Sequence, residues 1–329
     1  MSTLRQDPTT RSWVIVAPER AQRPHARPDA ERPRPPEFDP GCPFCPANES
    51  KTPPEVLRLP AEGPWSIRVV PNLYAVLAGE GSTEREGPPM MREMQGVGRS
   101  EVVIESPRHD DRLDEMSIDD VAAVIRVWRD RYNELMSLEG IHAVVVFKNS
   151  GAQAGTSLAH PHSQIVAVPV HLPRLLRRMD VATSYFEDTG HSLYEDLVDA
   201  ERKDGARIVA ERGDFVAFEP FASDTPFETW ILPATHQESF GELADGDVPQ
   251  LAWLLKHGLA AIREVCGDPD YNLVLFSAPS DGQAGEVFLW HFKILPRISA
   301  PAGFELGSAI GINTVAPEDA AAKLRDAIP

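Results

Sequence analysis

The chain has 329 residues, 42% of them hydrophobic, and a formal net charge of −18, which is long for one core and predicts two domains or two fused halves. The acidic balance argues against nucleic acid as a partner, since a phosphate backbone needs a basic stripe. No apolar run approaches the roughly 20 residues of a bilayer span, and the start, Met1-Ser-Thr-Leu-Arg-Gln-Asp-Pro8, lacks the apolar core of a signal peptide, so a cytoplasmic protein without membrane contacts is expected.

In chain order, residues 1–40 carry Arg5, Arg11, Arg20, Arg23, Arg27, Arg32 and Arg34 among many prolines. Trp13 to Pro18 reads as a short strand and the stretch from there to Pro40 as an extended arm. Beyond Cys42-Pro-Phe-Cys45, the runs Val69–Tyr74 and Glu101–Glu105 read as strands on either side of a polar, Gly/Pro-rich linker over 79–98. Ser117 is placed to cap a helix whose apolar positions run from Val121 to Leu135, and Ile141 to Phe147 is a β-branched run fit for a buried strand. A small-residue loop from Asn149 to Ser157 then lets backbone approach a ligand closely and offers N–H groups to an anion. It leads into Gly155 to Pro169, where His160, His162 and Gln164 alternate with Pro161, Ser163 and Ile165. An extended backbone puts the two imidazoles and the amide on one face. Imidazoles so spaced can hold a metal, perform covalent catalysis, or divide the two jobs, and the natural reading is a phosphate-handling site.

The second half repeats this order. Phe215 to Pro220 and Phe227 to Pro233 read as strands, a helix is expected from about Asp247 to Val265, and Tyr271–Phe276, a small-residue loop and Val287–Pro296 complete the half. Laying Phe276 on Phe147 and His291 on His162 needs a shift of 129 positions, and laying His236 on His109 needs 127. Shifts this close indicate a duplicated strand–strand–helix–strand–loop–strand unit. The expected fold class is α+β: two fused units, each an antiparallel sheet with a packed helix, divided into residues 1–170 and 171–329.

Cys42-Pro-Phe-Cys45 reads as either a redox pair or a zinc knuckle. A redox pair opens a helix, and Pro46, Pro53 and Pro54 with Asn48, Ser50 and Thr52 make one improbable here. A four-coordinate metal then needs two more ligands, for which His109, past the end of one strand, and His160 on the next are the candidates. Cys266 reads as an ordinary buried thiol. With His160 on metal, His162 is free to attack phosphorus, and a phosphoramidate splits one exchange between phosphate esters into two displacements. Ser157 and Gln164 are placed to hydrogen-bond the non-bridging oxygens. An amide at 164 cannot protonate a leaving group, so the site suits a leaving group that departs as a good phosphate anion.

The chain resembles the galactose-1-phosphate uridylyltransferase family, a duplicated branch of the histidine-triad superfamily that includes ADP-glucose phosphorylase-like members. The resemblance covers nearly the whole chain. Its marks are Arg5-Gln-Asp-Pro-Thr9, Trp13 to Pro24, Cys42-Pro-Phe-Cys45, Val70-Pro-Asn72, Glu105-Ser-Pro-Arg-His109, Phe147-Lys-Asn149, Gly155 to Gln164, Pro226 to Pro233 and Gly303-Phe-Glu-Leu-Gly307. It implies His162 as covalent nucleotidyl carrier with Gln164 and Ser157 beside it, and a metal, zinc or else iron, on Cys42, Cys45, His109 and His160. Arg20, Arg23, Asn72, Asn149 and Gly155 are then expected at the nucleotide, and Phe304 and Glu305 at the sugar, in a homodimer with sites at the subunit boundary. The expected activity is exchange of a nucleoside monophosphate between a nucleotide sugar and a hexose 1-phosphate, of the UDP-glucose and galactose-1-phosphate type, with ADP-sugar phosphorolysis as the alternative. Four departures stand out. Leu289-Trp290-His291 replaces a second His-x-His, and Arg174, Arg177 and Arg178 stand where a glutamate is expected, so no second metal site is expected. Ser100 stands where relatives often have His, and Ser163 replaces a glycine of the best-known uridylyltransferases.

Overall fold

The computed structural model describes residues 1–22, 33–77, 79, 81–278 and 287–329. In chain order its elements are β1 (Thr3–Gln6), β2 (Trp13–Val16), β3 (Leu57–Leu59), β4 (Ile67–Pro71), β5 (Arg99–Ile104), α1 (Ile118–Met136), β6 (Ala143–Ser150) and β7 (His162–Val168). Then come α2 (Pro173–Thr189), α3 (Leu193–Asp204), β8 (Ile208–Arg212), β9 (Phe215–Phe218), β10 (Thr229–Pro233), α4 (Val248–Cys266), β11 (Tyr271–Phe276), β12 (His291–Pro296), α5 (Gly303–Ser308), β13 (Gly311–Asn313) and α6 (Pro317–Asp326). The small-residue loop expected after Ala278 lies largely outside the described residues, as does Arg23. No helix among the described residues is long and apolar enough to cross a membrane.

Among the described residues, ten strands form one antiparallel sheet in the order β3-β4-β5-β7-β6-β11-β12-β10-β9-β8. The order reads the same from either edge once the second set of strands is matched to the first. Two α+β units therefore join edge to edge at β6 and β11, where Asn149 lies opposite Asn272 and Phe147 opposite Val274. β7 and β12 match at the expected shift of 129. β6 and β11 do not: Phe147 faces Gln164 on β7 and Val274 faces Lys293 on β12, so Phe147 corresponds to Val274, at 127. A slip of two preserves the strand face, which is why the repeat was legible despite it.

The helices lie where their sequences direct. The Ser117 Oγ accepts the Asp120 N–H at 3.1 Å and caps α1. The buried side chains Val121, Val124, Ile125, Trp128, Tyr132 and Leu135 form one stripe, packed with that of α4 in a single core against one face of the sheet. The opposite face is treated differently in the two repeats. Over β4 and β5 it carries Cys42, Phe44 and Cys45 against Val70, Val102 and Ile104. Over β9 and β10 it is covered by α2 and α3, whose Leu175, Met179, Tyr194 and Val198 pack on Val216, Phe218, Trp230 and Leu232. Among the described residues these two helices have no counterpart in the first repeat.

Candidate active site and metal centre

Alternation along β7 points His162 and Gln164 to the same face as their cross-strand partners Ile104 and Val102. The His162 Nδ1–H donates to the His160 carbonyl at 2.8 Å. That bond fixes the tautomer with Nε2 as the lone-pair nitrogen, and no hydrogen bond within the described protein engages it. Burial, with the charge of Lys148 added, holds the imidazole below its ordinary pKa, against the carbonyl bond and Glu105, which raise it. The neutral, nucleophilic form is favoured. Phe44 sets its ring edge against His162, centroids 5.4 Å apart.

Behind the strand lies a pair that the sequence reading passed over. Lys148 is buried; its Nζ donates to Glu105 at 2.6 Å and to the His162 carbonyl at 3.1 Å. Trp128 Nε1–H donates to Ser163 Oγ at 2.6 Å, so α1 grips the same strand, and a serine at 163 supplies an acceptor that glycine lacks. Alternating polarity at 105 and 148 within otherwise apolar runs was the available signal.

Cys42, Cys45, His109 and His160 are all buried and bring one donor atom each within 4.8 Å of one another. Cys45 Sγ lies 3.5 Å from His109 Nδ1 and 3.6 Å from His160 Nδ1. A tetrahedral zinc with Zn–S of about 2.3 Å and Zn–N of about 2.05 Å sets an S···N edge of about 3.6 Å, so the spacing fits. The surroundings fit as well: the His160 Nε2–H donates to the Ser106 carbonyl at 2.8 Å, presenting Nδ1 as ligand. Backbone N–H groups of Asp39 and Phe44 reach Cys45 Sγ and Cys42 Sγ at 3.3 and 3.4 Å, donors of the kind that metal-bound sulfur accepts; without a metal, burial raises the Cys42 thiol above its ordinary pKa, against the Phe44 N–H, which lowers it. Burial pulls the His160 imidazole down to about 4, keeping it neutral as a ligand must be. The cluster can bind a metal, and with four protein donors it has no position left for a substrate. The arm before it is clamped, with Arg34 on Asp110 at 3.0 Å and His109 N–H on the Glu37 carbonyl at 2.9 Å.

Asn72 Nδ2–H donates to Gln164 Oε1 at 3.3 Å, which puts Asn72 at the site. Asn149, on the same face as Phe147, is bonded by Asn272 Nδ2–H at 2.7 Å. The loop after it needs glycine twice: Gly151 (φ 89°) and Gly155 (φ 92°) are left-handed, and a Cβ on Gly151 would run into the Asp270 carboxylate, which holds the Gln153 N–H at 2.7 Å. Ser157 is exposed at the end of this loop. No hydrogen bond among the described residues ties Arg20, Phe304 or Glu305 to the site: Arg20 and Phe304 are exposed, and the Glu305 carboxylate accepts the Ala302 N–H of its own helix at 3.1 Å.

Residues 1–171 match the family model described as "Galactose-1-phosphate uridyl transferase, N-terminal domain". The chain belongs to the galactose-1-phosphate uridylyltransferase family. It is 36% identical to an ADP-glucose phosphorylase of Arabidopsis thaliana over 98% of this chain and 92% of that protein. It is 30% identical to the galactose-1-phosphate uridylyltransferase of Haemophilus influenzae over 89% and 83%. Among solved structures, that of an Arabidopsis thaliana ADP-glucose phosphorylase with bound ADP-glucose superposes with a TM-score of 0.86 at 35% identity, over 99% of this chain and 98% of that one. A uridylyltransferase structure gives 0.75 at 27%, over 99% and 98%. The family resemblance and the duplicated α+β fold thus hold, and the protein is an enzyme of nucleotidyl transfer.

Proposed function

We propose that the protein moves a nucleoside monophosphate from a nucleotide sugar to a phosphate acceptor by two displacements at His162. The observation that carries this is the His162 side chain itself, with Nδ1–H held on the His160 carbonyl and Nε2 unengaged beside Gln164. Nε2 attacks the α-phosphorus, a P–N bond forms, and the bond from phosphorus to the sugar-phosphate oxygen breaks with both electrons leaving on oxygen. Sugar 1-phosphate is already a stable anion and needs no proton, which suits an amide at 164 where an acid would serve a poorer leaving group. In the second step an acceptor phosphate oxygen attacks, P–N breaks, and neutral imidazole is restored. Gln164, Asn149 and Ser157, with the glycine-rich backbone at Gly155, supply donors to the phosphoryl oxygens, and Arg20 and Arg23 counter the nucleotide's charge. Cys42, Cys45, His109 and His160 would hold zinc; when bound it supplies rigidity, fixing the arm and the start of β7. Exposed Phe304 and Leu306 on α5 suit a homodimer in which Phe304 and Glu305 meet the sugar in the partner's site. We divide the repeats at residues 170 and 171.

Donor and acceptor separate two readings. UDP-glucose with a hexose 1-phosphate is the pair that the motifs suggest. ADP-glucose with orthophosphate is favoured by the higher identity and TM-score against the ADP-glucose phosphorylase, 36% and 0.86, than against the uridylyltransferases, 30% and 0.75. Exchange assays crossing UDP-glucose and ADP-glucose with galactose 1-phosphate, glucose 1-phosphate and orthophosphate decide between them. Steady turnover with water alone, and none with any acceptor, would discard both.

A further inference from the structure

An amide has a donor end and an acceptor end that a half-turn exchanges, and only the donor end helps an anion. Both amides at the site have their acceptor end already occupied. Gln164 Oε1 takes a hydrogen from Asn72 Nδ2 at 3.3 Å, and the Oδ1 of Asn72 in turn takes the backbone N–H of Tyr74 at 3.0 Å. Asn149 Oδ1 takes a hydrogen from Asn272 Nδ2 at 2.7 Å, the same nitrogen donates to the Ala154 carbonyl at 2.9 Å, and Asn272 Oδ1 takes Arg297 Nε–H at 2.5 Å. Each relay starts at a group that can only donate, a backbone N–H in one and a guanidinium in the other. The polarity of every amide downstream is thereby set, and Gln164 Nε2 and Asn149 Nδ2 are left as donors on the face that carries His162.

We propose that Asn72, Asn272 and Arg297 are positioning residues that lock Gln164 and Asn149 with their N–H groups toward the phosphoryl oxygens. Asn72 then acts through Gln164, with its own carbonyl and one Nδ2 hydrogen engaged. The second relay gives the C-terminal repeat a part in the chemistry of the first: Asn272 lies opposite Asn149 across the β6–β11 seam and is 7% exposed. The inference rests on the proposed function only in taking the ligand at His162 to be a phosphoryl group.

The test is a double-mutant cycle on the rate of protein nucleotidylation with UDP-glucose and ADP-glucose, each without acceptor. Gln164→Ala is expected to lower the rate about 10²–10³-fold, as for loss of one oxyanion donor, and Asn72→Ala less, with KM little changed in both. Asn72→Ala added to Gln164→Ala should cost nothing more. Asn72→Asp can only accept, so it turns Gln164 Nε2 inward and its carbonyl toward the phosphate. It should therefore be slower than Asn72→Ala with Gln164 present, by more than the two differ in the Gln164→Ala background. Additive losses, an effect confined to KM, or an Asn72→Asp enzyme as fast as wild type overturn the inference. Side-chain amide hydrogen exchange by NMR reads the relays without any substrate. Protection is expected for the Nδ2 hydrogens of Asn72 and Asn272, and fast exchange for Gln164 Nε2 and Asn149 Nδ2. The reverse pattern overturns the relays even if nucleotidylation is never observed, whereas absence of nucleotidylation with the expected pattern counts against the proposed function alone.

Discussion

His162 and His291 make the same hydrogen bond in the two repeats: Nδ1–H reaches the carbonyl two residues earlier, at 2.8 Å on His160 and 3.1 Å on Leu289. What separates them is the cover. His291 is stacked between Trp230 and Phe276, centroids 4.8 and 5.2 Å away, and its Nε2 is buried without a hydrogen-bond partner among the described residues. Arg178 and Lys293 add positive charge nearby, with burial the larger cause of a pKa held well below the ordinary histidine value. Arg178 lies 5.3–5.4 Å from the Trp230 and Phe276 rings and binds Thr9, with Asp7 at 3.8 Å. Where a glutamate was expected from the family, a cation pins the N-terminal segment.

The two histidines should therefore answer mutation differently. His291→Asn is expected to act through stability, by about 1–3 kcal/mol for disturbing a packed aromatic stack, with exchange activity per folded molecule retained. His162→Ala is expected to fold normally and lose exchange. Circular dichroism melts alongside exchange assays check both; a well-folded His291→Asn protein without activity contradicts the assignment.

The duplicated frame was legible because its determinants are local: a serine cap, helical spacing in α1 and α4, alternation in β7. The grouping of Cys42, Cys45, His109 and His160 was legible because proline and polar residues after Cys45 disfavour the redox alternative, and a four-coordinate site then needs two more donors. What sequence did not show depends on packing between distant segments. α2 and α3 have no counterpart among the described residues of the first repeat, so the comparison that exposed the duplication was silent about the helices that close over His291. Lys148 acts through partners 14 and 43 residues away, Asn272 across the seam on Asn149, and Arg297 through Asn272 within its own repeat, and no spacing rule marks such residues.

Metal removal gives the next expectation. Four buried donors without an open position would make a metal bound there structural. Cys42→Ser should lower bound metal and melting temperature together, while exchange per folded molecule falls much less. Elemental analysis that finds no transition metal in fully active protein would sink this.

Lys148 and Glu105 form an ion pair 2.6 Å long with both partners buried, at 5% and 1% exposure. Lys148→Met leaves a carboxylate uncompensated in the interior and should cost about 3–5 kcal/mol. Adding Glu105→Gln should recover most of it, because the loss comes from the orphaned charge. Denaturant unfolding of the two single variants and the double variant measures the coupling; a double variant no better than Lys148→Met refutes it.

Glu219 is fully buried; burial first, and then repulsion from Glu228, raise its pKa well above 4.5, and Oε2 has no hydrogen-bond partner among the described residues. The folded state holds this proton where the unfolded chain has released it, so stability falls as pH rises above about 4.5, by about 1.4 kcal/mol per unit until the folded group ionises. Glu219→Gln removes that slope. Its melting-temperature advantage over the wild type should grow from pH 5 to pH 7; a difference independent of pH would show that the carboxyl is ionised in the folded protein.

The intermediate is the most direct consequence of the His162 geometry. Incubated with nucleotide sugar and no acceptor, the enzyme should release about one sugar 1-phosphate per active site in a rapid burst and retain the nucleotide on protein. The adduct should be labile in acid and stable in base, as a phosphoramidate is and a serine phosphoester is not. Because Nδ1 stays bonded to the His160 carbonyl, the nucleotide must sit on Nε2, which peptide mapping with NMR of the labelled histidine can assign. His162→Gly removes the nucleophile but leaves its cavity, so free nucleotidyl-imidazole should restore the second half-reaction alone. A His162→Ala enzyme with undiminished exchange would show instead that donor and acceptor react directly with each other, and the covalent route would have to be abandoned.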